Sequence, residues 1–308
     1  MGIVEEWHEC LGRGEVLLLD GGTGTELERR GVPMDSAAWC GTAALDHKGA
    51  IRDLHEEYIR SGADAIITNT FATHRPLLEA AGLGDQVGVI VRRAVEAALE
   101  ARERAGCPGV LVAGSMSTMP ASNIRGGYAP LDEQMAAYRE QCGLLAEAGV
   151  DVIALEMMQD RERAALAFEA AKETGLPVWL GVSARKDPDT GAITPFNWPD
   201  ESFEELLDVL IPLGPSIVHV MHSEIAAVPE AVAMVQDRWQ GPVGVYPESG
   251  YFTMPNWNFV DVIDPADLLA EARGWVEAGV QIVGGCCGLG PEHIRALGAL
   301  RGVDAGAA

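Results

Sequence analysis

Three segments of this chain share one local design, a small-residue turn that runs into a short β-branched strand: SGADAIIT from Ser61, AGVDVIAL from Ala148 and AGVQIVGG from Ala278. A glycine after a helix supplies the left-handed conformation that ends it, and an apolar run without polar alternation is buried on both faces. Such runs recur along the sequence with helical stretches between them. They are Val16 to Asp20, Ala65 to Thr68, Val110 to Ala113, Val152 to Leu155, Val178 to Val182, Ile217 to Val220, Val243 to Val245 and Ile282 to Gly284. Strands alternating with helices build a parallel sheet. Eight of them favour closure into an α/β fold of the (β/α)8 TIM barrel type over an open doubly wound sheet, and 308 residues suit such a barrel as one unit. No linker or low-complexity tract breaks the series, so a single domain over 1–308 is expected, with its core at about 14–300. The tail after Arg301, GVDAGAA, is expected to fray.

Composition narrows the partners. Apolar residues make up 48% of the chain, yet no run approaches the ~18 consecutive apolar residues of a spanning helix, which argues against a membrane protein. The opening MGIVEEWHEC has neither a basic start nor an apolar stretch, so no secretory signal is read and a cytoplasmic location is expected. Against 46 acidic side chains stand 22 basic ones, a formal net charge of −24 that repels a polyphosphate backbone and excludes nucleic acid as a partner. The acids concentrate on helices such as Ser202 to Asp208 and Pro265 to Glu277, where solvated outer faces account for them. A homo-oligomer is compatible with this composition. Of six cysteines, Cys10, Cys40, Cys107 and Cys142 stand alone, and Cys142 reads as core filler within a helix.

In barrels of this kind the active site lies at the carboxyl ends of the strands. After the first strand comes Asp20-Gly21-Gly22-Thr23-Gly24-Thr25, leading into a helix expected over Glu26 to Arg30. A phosphate cradle and a tight turn beside a polar substrate are both open readings, although the Lys-Ser/Thr of a P-loop is missing. The second strand ends in Thr68-Asn69-Thr70-Phe71 and the fourth in Glu156-Met157-Met158. A carboxylate directly after an apolar strand needs a cationic partner, which a substrate ammonium or a structural ion pair would supply. The eighth strand runs into Gly284-Gly285-Cys286-Cys287-Gly288, whose flanking glycines let two adjacent soft thiolates turn toward one zinc ion. Two inert buried thiols are the plainer alternative. A third ligand is available on the sixth strand, where Val218-His219-Val220-Met221-His222 ends. Alternation places His219, Met221 and Ser223 on one face and His222 on the other, a rule that weakens past the strand end. Three protein ligands and one open position make a catalytic zinc site, and a substrate thiol in the opening would be held as thiolate.

Taken together, LLLDGGTGTELERRG from Leu17, YIRSGADAIITNTF ending at Phe71, YPESG from Tyr246 and GGCCGLGPEHIRAL from Gly284 resemble the homocysteine S-methyltransferase family over roughly 14–300. The resemblance implies a zinc-bearing barrel in which the metal activates a homocysteine thiol toward a methyl donor. It implies that Cys286 and Cys287 are zinc ligands, that Asp20 and Glu156 serve the acceptor's polar end, and that Trp39 and Phe71 face a cationic donor through cation–π attraction. Gly21, Gly22, Thr23, Asn69, Thr70 and Glu248 complete the expected substrate contacts. The family's third cysteine belongs in an Asn-Cys pair where this chain has Met221-His222, so His222 is the first choice for that ligand, with Glu224 and His219 behind it. Glu248 stands for an asparagine, and Gly114 to Pro120 replaces a Gly-Pro turn. The expected activity is zinc-dependent methyl transfer from a small sulfonium or betaine-like donor to a thiol such as homocysteine, the chemistry of methionine biosynthesis. Zinc-dependent hydrolysis or lyase chemistry through metal-bound water, and a non-catalytic metal- or thiol-binding barrel, are the alternatives.

Overall fold

The computed structural model describes residues 2–118 and 128–302. Met119 and Pro120 of the turn after the third strand, and 303–308 of the tail, lie outside the described residues. All eight expected strands form: β1 (Leu17–Leu18), β2 (Ala65–Ile67), β3 (Leu111–Ser117), β4 (Val152–Met158), β5 (Val178–Val182), β6 (Ile217–Glu224), β7 (Val243–Glu248) and β8 (Ile282–Val283). They pair in parallel in the order β1-β8-β7-β6-β5-β4-β3-β2, and a parallel bridge between Leu19 and Ala65 joins the two ends into a barrel. Helices follow on the outside, the first over Thr23–Arg29, a turn earlier than expected. The repeated helix-ending glycines behave as their position demands, with φ of 108° at Gly62, 94° at Gly149 and 95° at Gly279.

Side chains sort by the two-residue period of the strands. Leu18, Ile66, Val112, Ile153, Val218 and Val283 pack outward into the core shared with the helices. Leu17, Leu19, Ala65, Ile67, Leu111, Ala113, Val152, Ala154, Ile217 and Ile282 form a second cluster inside the barrel. The seam between β1 and β2 has few backbone bonds, and two carboxylates supply acceptors there. Asp64 accepts from the Leu18 amide at 2.8 Å, and Asp20 accepts from the Ile67 amide at 2.8 Å. The amino end of the barrel is plugged by the helix Ile3–Gly12, whose Trp7 and Leu11 join the inner cluster. Trp7 sits 5.4 Å, centroid to centroid, from Trp179 of β5, and Gln281 Nε2 donates to the Leu11 carbonyl at 2.7 Å.

At the other end the strands are uneven. β3, β4, β6 and β7 run three residues or more beyond their apolar runs, which carries polar side chains up above the core. β5 and β7 are each followed by an antiparallel hairpin, Ala184–Lys186 with Ile193–Pro195 and Tyr251–Thr253 with Asn256–Asn258. Neither hairpin is among the eight strands expected from the sequence. Among the described residues no helix is long and apolar enough to cross a membrane.

Truncating the plug tests its share of the stability. Trp7→Ala removes a ring that is 5% exposed, and equilibrium urea unfolding should show a loss of about 3–5 kcal/mol.

Candidate active site

Cys286 and Cys287 sit on a loop held from both sides by backbone hydrogen bonds. The Gly285 amide donates to the Asp20 carbonyl and the Cys286 amide to the Pro247 carbonyl, while the Ser249 amide donates to the Cys287 carbonyl. Gly288 turns the chain away with φ of 84°, and a Cβ there would collide with the Ser249 carbonyl. The Gly288 amide donates to Thr25 Oγ1 at 3.1 Å. The glycine turn after β1 is built for this approach: the Gly22 amide donates to the Leu289 carbonyl at 3.0 Å, and a Cβ on Gly22 would lie 2.6 Å from the Cys286 carbonyl. This is the tight-turn reading of the glycine-rich segment, with the Gly22 amide committed to the protein.

The two sulfurs stand 3.8 Å apart, and His222 Nδ1 lies 3.2 Å from Cys286 Sγ. His222, Cys286 and Cys287 each offer one ligand atom within 4.8 Å of the others, and all three are buried. Strict alternation would turn His222 away from Met221. Instead the register between β6 and β7 slips between Met221 and Glu224, and His222 adopts φ of 46°, so two successive side chains face inward. β4 has the same irregularity, a slip between Leu155 and Met158 with Met157 at φ of 58°, just after inward-facing Glu156. The two other candidates for the third ligand lie elsewhere. His219 is fully buried beside Trp179, with burial pushing its pKa down to about 3. Glu224 pairs with Arg185 at 3.2 Å.

Glu156 is buried, accepting from Ser115 Oγ and meeting His222 Nε2 at 2.9 Å. Burial and the neighbouring Cys287 thiol push the Cys286 thiol well above its ordinary range. A buried thiol pair beside a carboxylate becomes anionic when a cation sits among them.

Two cavities adjoin the cluster and share a wall of Trp39, Phe71, His222 and Cys287. The smaller, about 40 Å³, is lined by Gly22, Thr23, Asn69, Glu156, Tyr246 and Cys286 among others. The larger, about 280 Å³, is lined by aromatic rings, with Arg185, Glu224 and Glu248 as its charged groups. Phe71 stacks on His222 at 5.1 Å, and Trp39 makes edge contacts with Phe71 and Phe252. Asp20, Gly21 and Thr70 line neither cavity. Asp20 is fully buried, and that burial drives its pKa well up; Tyr246 Oη lies 3.2 Å from its Oδ1 and 2.9 Å from the Gly21 carbonyl. Thr70 bonds to the Ser115 carbonyl at 2.7 Å and holds β2 against β3.

Several lining residues escaped the sequence reading. Cys40, taken as isolated, is buried in the wall of the smaller cavity, and its carbonyl accepts from Asn69 Nδ2 at 2.9 Å. Phe196, Tyr251, Phe252 and Trp257 come from the two hairpins. Glu28 fastens the second hairpin to the first barrel helix, accepting from the Trp257 amide at 2.9 Å and Asn256 Nδ2 at 2.8 Å. The run DPDTG from Asp187 was the available signal for the first hairpin: Asp187 Oδ1 accepts from the amides of Asp189 and Thr190, as turn aspartates do.

Two substitutions probe this arrangement. Gly288→Ala should lower the melting temperature and abolish divalent-metal binding, read by calorimetry with zinc or cobalt. Burial raises the Glu248 pKa to about 7 against the pull of His222 and Arg185. The folded chain therefore holds a proton there that the unfolded chain releases near its ordinary carboxylate pKa, so this contribution to stability is full below that value and is lost as pH rises from it through about 7. In chelator-treated protein, Glu248→Gln should raise the melting temperature at pH 8 by a few degrees, by less at pH 5, and leave it unchanged below pH 4, under the ordinary carboxylate pKa.

Comparison with known proteins agrees with this geometry. The homocysteine S-methyltransferase family profile matches residues 17–300. The chain is 28% identical to the homocysteine S-methyltransferase YbgG of Bacillus subtilis, covering 92% of this chain and 94% of that one. It is also 28% identical to betaine–homocysteine S-methyltransferase 1 of Danio rerio, covering 94% and 74% of the two chains. Among solved structures, the homocysteine methyltransferase MmuM of Escherichia coli superposes in its oxidized form with a TM-score of 0.74 at 25% identity, covering 92% of this chain and 95% of that one. Its metallated form gives 0.73 at 25% identity, covering 94% and 98%. With its thiol pair at the carboxyl end of a closed barrel, this chain belongs to the homocysteine S-methyltransferase family.

Proposed function

We propose that the chain is a zinc-dependent S-methyltransferase that moves a methyl group from a small sulfonium or betaine-like donor to a thiol such as homocysteine. The observation that carries this reading is the pair of cavities, a small one that holds Glu156, Asn69 and the two thiols and a larger one ringed by aromatic side chains, meeting at His222 and Cys287. The donor set fits zinc. With Zn–S bonds of about 2.3 Å, tetrahedral geometry separates two thiolate ligands by about 3.8 Å, and the sulfurs of Cys286 and Cys287 are 3.8 Å apart. Zinc held by Cys286, Cys287 and His222 would supply the Lewis acidity that keeps a substrate thiol deprotonated at neutral pH.

The chain's own residues account for the rest. Glu156 presents a carboxylate to the smaller cavity and suits an acceptor's ammonium, with Gly22, Thr23 and Asn69 around it. Asp20, Gly21 and Thr70 support that wall from behind. Across the shared wall, Trp39 and Phe71 offer ring faces to a methylated cation, and Glu248 and Glu224 add negative charge. Arg185, partly neutralised by Glu224, is placed to meet a donor carboxylate. The acceptor sulfur's electron pair forms the new S–C bond as the donor's C–S or C–N bond breaks, its pair returning to the departing sulfur or nitrogen. Thiolate and onium charges cancel along that path, so a pocket with little water favours transfer and no general base is required after the thiol has lost its proton.

Metal analysis joined to a methylation screen tests the reading. The native protein should carry about one zinc per chain and methylate homocysteine from at least one sulfonium or betaine donor. Cys286→Ala and Cys287→Ala should each lose zinc and reduce turnover to background. Native protein without zinc, or zinc retained after both cysteines are removed, sinks the proposal.

A further inference from the structure

We infer that Glu156 is a positioning residue of the metal site: it holds the Nε2–H of His222, so that Nδ1 is the nitrogen that binds the metal. The inference rests on the zinc reading above and adds a dependence that a thiolate ligand at this position would not have.

The ring of His222 is fixed on three sides. Nε2 lies 2.9 Å from Glu156 Oε2, Phe71 stacks on the ring at 5.1 Å, and Nδ1 faces Cys286 Sγ at 3.2 Å while Nε2 is 3.9 Å from the same sulfur. A carboxylate can only accept, so the nitrogen facing it carries the hydrogen. A neutral imidazole has one remaining lone pair, and it lies on the nitrogen nearer the thiols. For zinc with one thiolate and one imidazole, bond lengths of about 2.3 and 2.0–2.1 Å place sulfur and nitrogen about 3.6 Å apart, a small adjustment from 3.2 Å. Carboxylate–histidine–metal chains of this kind set the tautomer and raise the basicity of the ligand.

The backbone is arranged to bring the two side chains together. β5 separates β4 from β6 and ends at Val182, and the two longer strands continue past it. Each is irregular at this level, at Met157 beside Glu156 and at His222 itself, and the side chains meet above the end of the shorter strand. Ser115 of β3 donates to the other oxygen of Glu156, so the carboxylate is itself held in place. Each oxygen keeps a lone pair, which leaves the carboxylate able to receive an acceptor's ammonium as well.

A double-mutant cycle read by zinc affinity, in competition with a chromogenic chelator, tests the inference. Glu156→Ala in the native background should weaken zinc binding about 10–100-fold. Glu156→Gln keeps an acceptor at the same place and should recover at least threefold of that loss. In a His222→Cys background, where the ligand has no second nitrogen to hold, Glu156→Ala should change zinc affinity by less than threefold. An equal loss in both backgrounds, or less than threefold in the native one, overturns the inference. Should the alanine variant not fold, the near-isosteric glutamine variant carries the same comparison: a loss above twofold with His222, and none with cysteine at that position. Coupling between Glu156 and His222 without any methyl transfer would leave this inference standing and remove the methyltransferase reading. Native protein without zinc overturns both.

Discussion

Two adjacent residues on an extended chain point to opposite sides, and the site exists because the loop carrying Cys286 and Cys287 is not extended. Backbone hydrogen bonds to Asp20 on one side and to Pro247 and Ser249 on the other fix it between the ends of β1 and β7. The requirement spreads outward. Gly22 and Gly288 must lack side chains for the loop to approach, Thr25 must be present to receive the Gly288 amide, and Ser249 must present its amide to the Cys287 carbonyl, its own carbonyl accepting from Trp257 Nε1 at 3.2 Å. A cluster that comprises three side chains thus draws on the turns after three neighbouring strands, β1, β7 and β8.

The opposite wall solves a different problem, placing polar groups above an apolar core without leaving them unpaired. β3, β4 and β6 carry Ser115, Glu156 and His222 beyond the packed layers, and the three bond to one another in a chain. The irregularities at Met157 and His222 let strands that obey a two-residue period below depart from it where the chemistry begins. Positive φ in a non-glycine residue is uncommon and unfavourable, and of the four such residues among those described, Trp39, Met157, His222 and Asp261, the first three line the larger cavity.

The legible parts of the sequence were those written in residue type. Buried parallel strands must be apolar on both faces, so all eight could be read from runs such as Ala65-Ile66-Ile67 and Val178-Trp179-Leu180, and glycines such as Gly62 and Gly149 marked the helix ends. Cys286 and Cys287 stood out because few folds need neighbouring thiols. Hidden were features that depend on backbone conformation. Nothing in Met157 or His222 announces a positive φ, so the convergence of His222 with the cysteines rested on a weakened alternation rule. Asp20 was legible as an acid after a strand, yet its position at the β1–β2 seam, bonded to the Ile67 amide, depends on which strands become neighbours on closure. The aromatic hairpins were missed because an isolated three-residue strand carries too little pattern, although Asp187 to Gly191 spelled out one of the turns.

Closure also fixes a timetable. β8 is the strand that pairs with both β1 and β7, and Gln281 just before it ties down the amino-terminal plug at Leu11. The contacts with β1 and Leu11 span nearly the whole described chain, and contacts of such separation form late. During synthesis the thiols emerge after every other barrel strand, next to the segment that completes the ring. A partly made chain therefore offers His222 and no sulfur partner from this loop, and under the proposed ligand set metal capture through both cysteines would await the last strand of the ring. Loading with metal would in that way report that the barrel has shut.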